Sequence, residues 1–84
     1  MKLQRYEEAL AVYNQAIEIK FDCADYWYNK ACCYALQNNV TLAIQNLQQS
    51  IKLESDGLEL AKTDPDFDAI REHEMFKILF DEYS

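Results

Sequence analysis

The chain has 84 residues with one Gly and one Pro, so it offers few places to break a helix and no room for two domains; a single small all-helical unit is expected over residues 1–84. Hydrophobic residues make up 50% of it, yet its apolar runs are too short to span a bilayer and no charged start leads into an apolar stretch, which predicts a soluble, cytoplasmic protein. Its 8 basic and 15 acidic residues give a net charge of -7, a field that repels nucleic-acid phosphates and anionic membrane surfaces but suits a basic or neutral partner.

The first helix follows from Leu3, Tyr6, Leu10, Tyr13 and Ile17, which alternate in steps of three and four, with Ala9 and Ala16 beside them. It is expected over residues 4–20, with Glu7, Glu8, Asn14, Gln15 and Glu18 on the wet side. Phe21 and Asp22 interrupt it, and the Asp22 carboxylate is expected to cap the next helix.

A second helix is expected over residues 24–37, its inward stripe formed by Trp27, Ala31 and Tyr34. Asn38 and Asn39 end it, because Asn tolerates the left-handed conformation that helix ends require. The short turn makes the third helix, over residues 40–53, an antiparallel neighbour. Its stripe of Val40, Ala43, Ile44, Leu47 and Ile51 repeats that of the first helix: position 6 maps onto position 40 and Tyr13, Ala16 and Ile17 onto Leu47, Ser50 and Ile51, an offset of 34 residues.

Trp27-x-x-x-Ala31-x-x-Tyr34 followed by Ala43, Leu47 and Ser50 resembles one complete tetratricopeptide repeat. Small Ala31 and Ala43 let two backbones approach while Trp27, Tyr34 and Leu47 fill the space around that contact. Lys30 departs from the family's Leu, its aliphatic stem being able to cover part of the same surface, and Ser55 stands where the family usually has Pro. Arg5-Tyr6-Glu7-Glu8-Ala9-Leu10 is similar to the second helix of a preceding repeat. Met1 and Lys2 leave no space for that repeat's first helix, so an uncovered, self-associating edge is expected at Tyr6, Leu10 and Tyr13. Either a second copy, giving a homo-oligomer, or the rest of a longer array is expected to cover it.

Beyond Leu53 the period fails, and a capping segment is expected over residues 55–84. Ser55 to Lys62 suits two helical turns, and Pro65 breaks the chain after Asp64 while suiting the first position of a new helix. Asp64-Pro65-Asp66-Phe67 resembles the segment that closes many bacterial arrays of the family. Phe67, Ile70, Phe76 and Leu79 are therefore expected to bury against the end of the third helix.

Chemical motifs fail on spacing. Asp64-x-Asp66-x-Asp68 opens like a calcium loop, but Ala69 and Met75 stand where the Gly and the bidentate Glu belong, so acids at a helix N-terminus explain it. His73-Glu74 opens like a zinc-protease helix, but Lys77 stands where the second His belongs, and a solvent-side His73 is expected. Cys23, Cys32 and Cys33 match neither a zinc site nor a disulfide framework; Cys32 and Cys33 point about 100° apart as small apolar residues. Neither catalytic residues nor a metal or cofactor is expected.

The resemblance implies an all-α, right-handed antiparallel helix-pair solenoid of four or five helices that binds a protein or peptide without catalysis. It places the docking groove on the first helix of the repeat, at positions that here are Asp25, Tyr28, Asn29, Cys32 and Leu36. Tyr28 brings a stacking face with a polar tip and Asn29 a donor and an acceptor for peptide backbone. The carboxylate clamp of the chaperone-binding members is rejected: Asn29 fits one position, but Glu59 and Thr63 stand at the basic ones.

Overall fold

The computed structural model describes residues 3–83, with side chains from residue 5 onward, so the reading of Met1 and Lys2 lies outside the described residues. Five α-helices and one 3-10 turn follow in order: α1 Leu3–Ile19, α2 Ala24–Leu36, α3 Val40–Leu53, α4 Asp56–Thr63, the turn Pro65–Phe67, and α5 Glu74–Glu82. Among the described residues there is no strand.

The α2–α3 hairpin is the centre of the fold. Asn38 takes a left-handed φ of 62°, and the amides of Asn38 and Asn39 donate back to the carbonyls of Ala35 and Tyr34 at 3.0 and 2.9 Å. That pair of bonds closes α2 as a Schellman motif. Asn39 then caps α3 by accepting from the Leu42 amide at 3.3 Å. Two adjacent Asn residues thus end one helix and start the next, which sets the sharp reversal. Ala31, Ala35, Ala43 and Leu47 are fully buried where the helices meet, and buried Ser50 donates its hydroxyl to the Ala24 carbonyl at 3.0 Å, fastening the far end.

The start of α2 corrects one expectation. Cys23 occupies the N-cap position without a side-chain bond, and Asp22 is an exposed turn residue. Order at this turn comes instead from Trp27, whose indole Nε1 donates to the Phe21 carbonyl at 2.7 Å. Lys30 covers the same indole, its ammonium 5.4 Å from the ring centroid, a cation-π contact where the family has an aliphatic side chain.

The C-terminal segment is a second layer laid across the hairpin. Gly57 lets α4 come close: a Cβ there would lie 3.3 Å from Ser50 Oγ and 3.4 Å from Tyr28 Cδ2. Asp64 is extended, its carboxylate accepts from the Asp66 amide at 3.0 Å, and Pro65 opens the 3-10 turn. Arg71 ties the segment together by donating to the carbonyls of Ala61 and Asp64 at 3.1 and 2.7 Å and by pairing with Asp68. Phe67, Ile70, Phe76 and Leu79 are all buried. Their location differs in part from the expectation: α5 packs on α3, but the Phe67 turn packs on α2. Phe67 lies between the rings of Tyr28 and Phe76, 5.7 Å from each, because Pro65 turns the chain back over the hairpin before α5 begins. His73 is exposed, as its neighbours imply, and it also caps α5 by accepting from the Met75 amide at 3.1 Å.

Candidate protein-interaction site

The five expected groove residues share one face of α2, since Asp25, Tyr28/Asn29, Cys32 and Leu36 recur at helical spacing. Their surroundings divide them. The Tyr28 hydroxyl donates to Asp64 Oδ2 at 2.7 Å while its ring meets Phe67 edge-on at 69°. Burial first, and then the bond to Asp64, hold the Tyr28 phenol above its ordinary range. Cys32 is buried beneath the same segment, where burial and the neighbouring Asp64 and Asp66 push its thiol up. The middle of this face is therefore covered by the chain's own residues 64–67. Asp25 is exposed, Asn29 half-buried, and Leu36 40% exposed.

Cys32, Asp64 and Asp66 bring ligand-type atoms within 4.8 Å of one another. Asp64 is already engaged within the fold, taking the Tyr28 hydroxyl and the Asp66 amide, and burial together with the neighbouring Asp64 and Asp66 pushes the Cys32 thiol up, away from the thiolate a metal would need. Asp68 is drawn away to Arg71, so the three alternate acids do not converge as a calcium loop would require.

Near the start of α2 two small clefts of about 90 and 320 Å³ share Ala24, Asp25 and Glu54. One adds Asp56 and Leu60, the other Asp22 and Lys20. Carboxylates dominate their rims, giving this end of the face the acidic character expected for a basic ligand.

On α1 the expected edge is partly covered. Tyr6, Leu10 and Tyr13 are half-buried, and α1 packs on α2; burial raises the Tyr13 phenol, with Cys33 and Cys32 of α2 as its next neighbours in effect. The exposed apolar side chains lie further round the helix: Val12 is 61% and Ile19 88% exposed, with Phe21 at 71% just beyond. Val12 and Ile19 stand two turns apart and share one side of α1. Periodicity did not single them out because they lie off the Leu10–Ile17 stripe.

A helical hairpin with a half-covered helix before it and a sealing segment after it defines a helical-repeat module. A family model for the TPR repeat matches residues 1–37 and a second, for the tetratricopeptide repeat, matches residues 24–56. The chain belongs to the tetratricopeptide repeat family, whose repeats mediate protein–protein interaction and are typically non-catalytic. It is 27% identical over 82 residues to a chloroplastic protein of Arabidopsis thaliana, a match covering 94% of this chain and 24% of that protein. The chain thus spans about a quarter of the length of this relative. No solved structure matches. No helix among the described residues is long and apolar enough to cross a membrane.

Proposed function

We propose that this chain is a non-catalytic assembly module of a tetratricopeptide array, joined through the uncovered side of α1 to another helix pair of the same kind. The observation that carries the reading is the exposure of Val12 and Ile19, 61% and 88%, on one side of a helix whose other side packs on α2. Full burial of such side chains stabilises by about 1.5–3 kcal/mol each. Two of them with Phe21 at the end make association favourable, but lost rotational and translational freedom keeps it modest. For the isolated chain the available helix pair is a second copy, which gives a homo-oligomer. Sedimentation equilibrium at tens of micromolar is expected to show self-association that Val12→Asp with Ile19→Asp removes; a monomer at every concentration contradicts the reading.

A second reading, peptide capture on α2, is favoured by the acidic clefts around Asp25. Because Tyr28 and Cys32 are covered by residues 64–67, the docking residues in this reading are Asp25, Asn29 and Leu36, and the ligand is a basic peptide. Asp25→Asn with Asn29→Ala is expected to abolish capture of a basic peptide and leave the association state unchanged. Nucleic acid and membrane surfaces are not proposed as partners, since the net charge of -7 disfavours both. Three free thiols, two of them buried, support a reducing, cytoplasmic setting.

A further inference from the structure

The surface that α1 leaves open is apolar, while the chain that carries it is strongly acidic. Val12, Ile19 and Phe21 are 61%, 88% and 71% exposed, and burying them against a second copy draws on the hydrophobic effect, which offers salt no charge to screen. Around them, residues 3–22 carry Glu7, Glu8, Glu18 and Asp22 against Arg5 and Lys20. The ion pairs Lys62–Glu59, Arg71–Asp68 and Lys77–Glu72 all lie in the C-terminal segment, so they do not offset the acids on this side.

The rest of the molecule adds to that field. The chain packs a net charge of -7 into principal extents of 32, 28 and 18 Å, so two copies in contact hold their charges within a few tens of Å of one another. Such charges repel when the screening length is comparable with their separation, about 20 Å at an ionic strength near 20 mM, and barely when it is about 4 Å, near 0.5 M. Attraction at α1 is local and apolar, whereas the repulsion belongs to the whole chain. Salt therefore acts on the second and spares the first.

From this opposition we infer that assembly through α1 is gated by ionic strength: the acidic field holds two copies apart at low salt, and screening lets their apolar faces meet. The inference rests on the proposal that α1 is the assembly surface and adds what controls it. Its sign is opposite to that of a contact made by charge. Capture of a basic peptide at the acidic clefts around Asp25 weakens as salt rises, so the two surfaces respond to the same change in opposite directions.

The test is sedimentation equilibrium of the whole chain at about 20 mM and about 0.5 M sodium chloride, where the screening lengths differ by about fivefold. The dimer is expected to tighten by about tenfold or more between the two. Glu59→Lys with Glu82→Lys changes two exposed residues away from α1, each raising the charge by two and together taking -7 to -3; circular dichroism checks its fold. Because the repulsion scales with the product of the two net charges, this variant is expected to associate more tightly than the parent at low salt and to respond to salt by about threefold or less. Val12→Ser with Ile19→Ser, which alters no charge, is expected to abolish association at both salt concentrations. A parent dimer that salt leaves unchanged or weakens overturns the gating while leaving assembly through α1 standing. A full salt response in the charge variant assigns the effect to salting-out of apolar surface and also overturns the gating. A parent that is monomeric at both salt concentrations, or association that survives the serine pair, overturns the gating and the α1 assembly together.

Discussion

Replacing Phe67 by Ala tests whether residues 64–67 are a fixed part of the α2 face. The ring is 0% exposed and contacts Tyr28 and Phe76, each 5.7 Å away, and α2 and the turn have no other aromatic bridge among the described residues. Truncating a buried Phe costs about 3–5 kcal/mol, the transfer term plus the cavity that remains. A chain of this size has a total stability of about 4–12 kcal/mol at the usual 0.05–0.15 kcal/mol per residue. The variant is therefore expected to lose a quarter or more of its stability, a fall in Tm of roughly 12 °C or more. Urea unfolding followed by the fluorescence of Trp27, the single tryptophan of the chain, measures it. The midpoint should drop sharply. A loss below about 1 kcal/mol would refute the reasoning, since a ring that costs so little to remove is not buried between α2 and α5.

Tyr28→Phe removes the donor to Asp64 while keeping the ring contact, and is expected to destabilise by about 1–2 kcal/mol, less than Phe67→Ala, in the same urea assay. Burial raises both the Tyr28 phenol and the Cys32 thiol, so the folded state keeps them neutral where the unfolded chain ionises. The stability they contribute is whole below about pH 8.5 and falls as pH rises through about 9 and 10; urea midpoints across that range should decline, and less steeply above about pH 10 in Tyr28→Phe. Cys23 is half-exposed and Cys32 and Cys33 are buried; an aromatic disulfide reagent should label one thiol quickly and the other two only on unfolding. Three fast thiols would show that α2 is uncovered. Val12→Asp and Ile19→Asp change exposed positions, so each should shift monomer stability by no more than about 0.5 kcal/mol while association falls.

Local chemistry made the helices legible in the sequence. Asn38 and Asn39 marked the α2–α3 reversal, and Pro65 marked the break after α4, because each residue type acts on its own backbone. The small residues Ala31, Ala43 and Ser50 marked the close approach of α2 to α3 for a similar reason: their size alone decides how near two backbones come. What covers Tyr28 was not legible. Its partners, Asp64 and Phe67, are brought to it by the path of α4 and the turn, and spacing along the chain carries no signal of that path. Helix-terminus details went the same way: Asp22 is a good capping residue by type, yet the bond from Trp27 to Phe21 orders that turn. The uncovered side of α1 was anticipated as a property of the helix, but the residues expected, Tyr6, Leu10 and Tyr13, lie on the half-covered stripe and Val12 and Ile19 stand clear of it.

The proposal that α1 is the assembly surface can be read most directly from hydrogen–deuterium exchange at two protein concentrations, one well below and one well above tens of micromolar. Association through Val12 and Ile19 predicts that α1 amides gain protection at the higher concentration while those of α2, α3 and α5 keep the same rates. Exchange in α1 that is independent of concentration, or a gain in protection centred on α5, would contradict it.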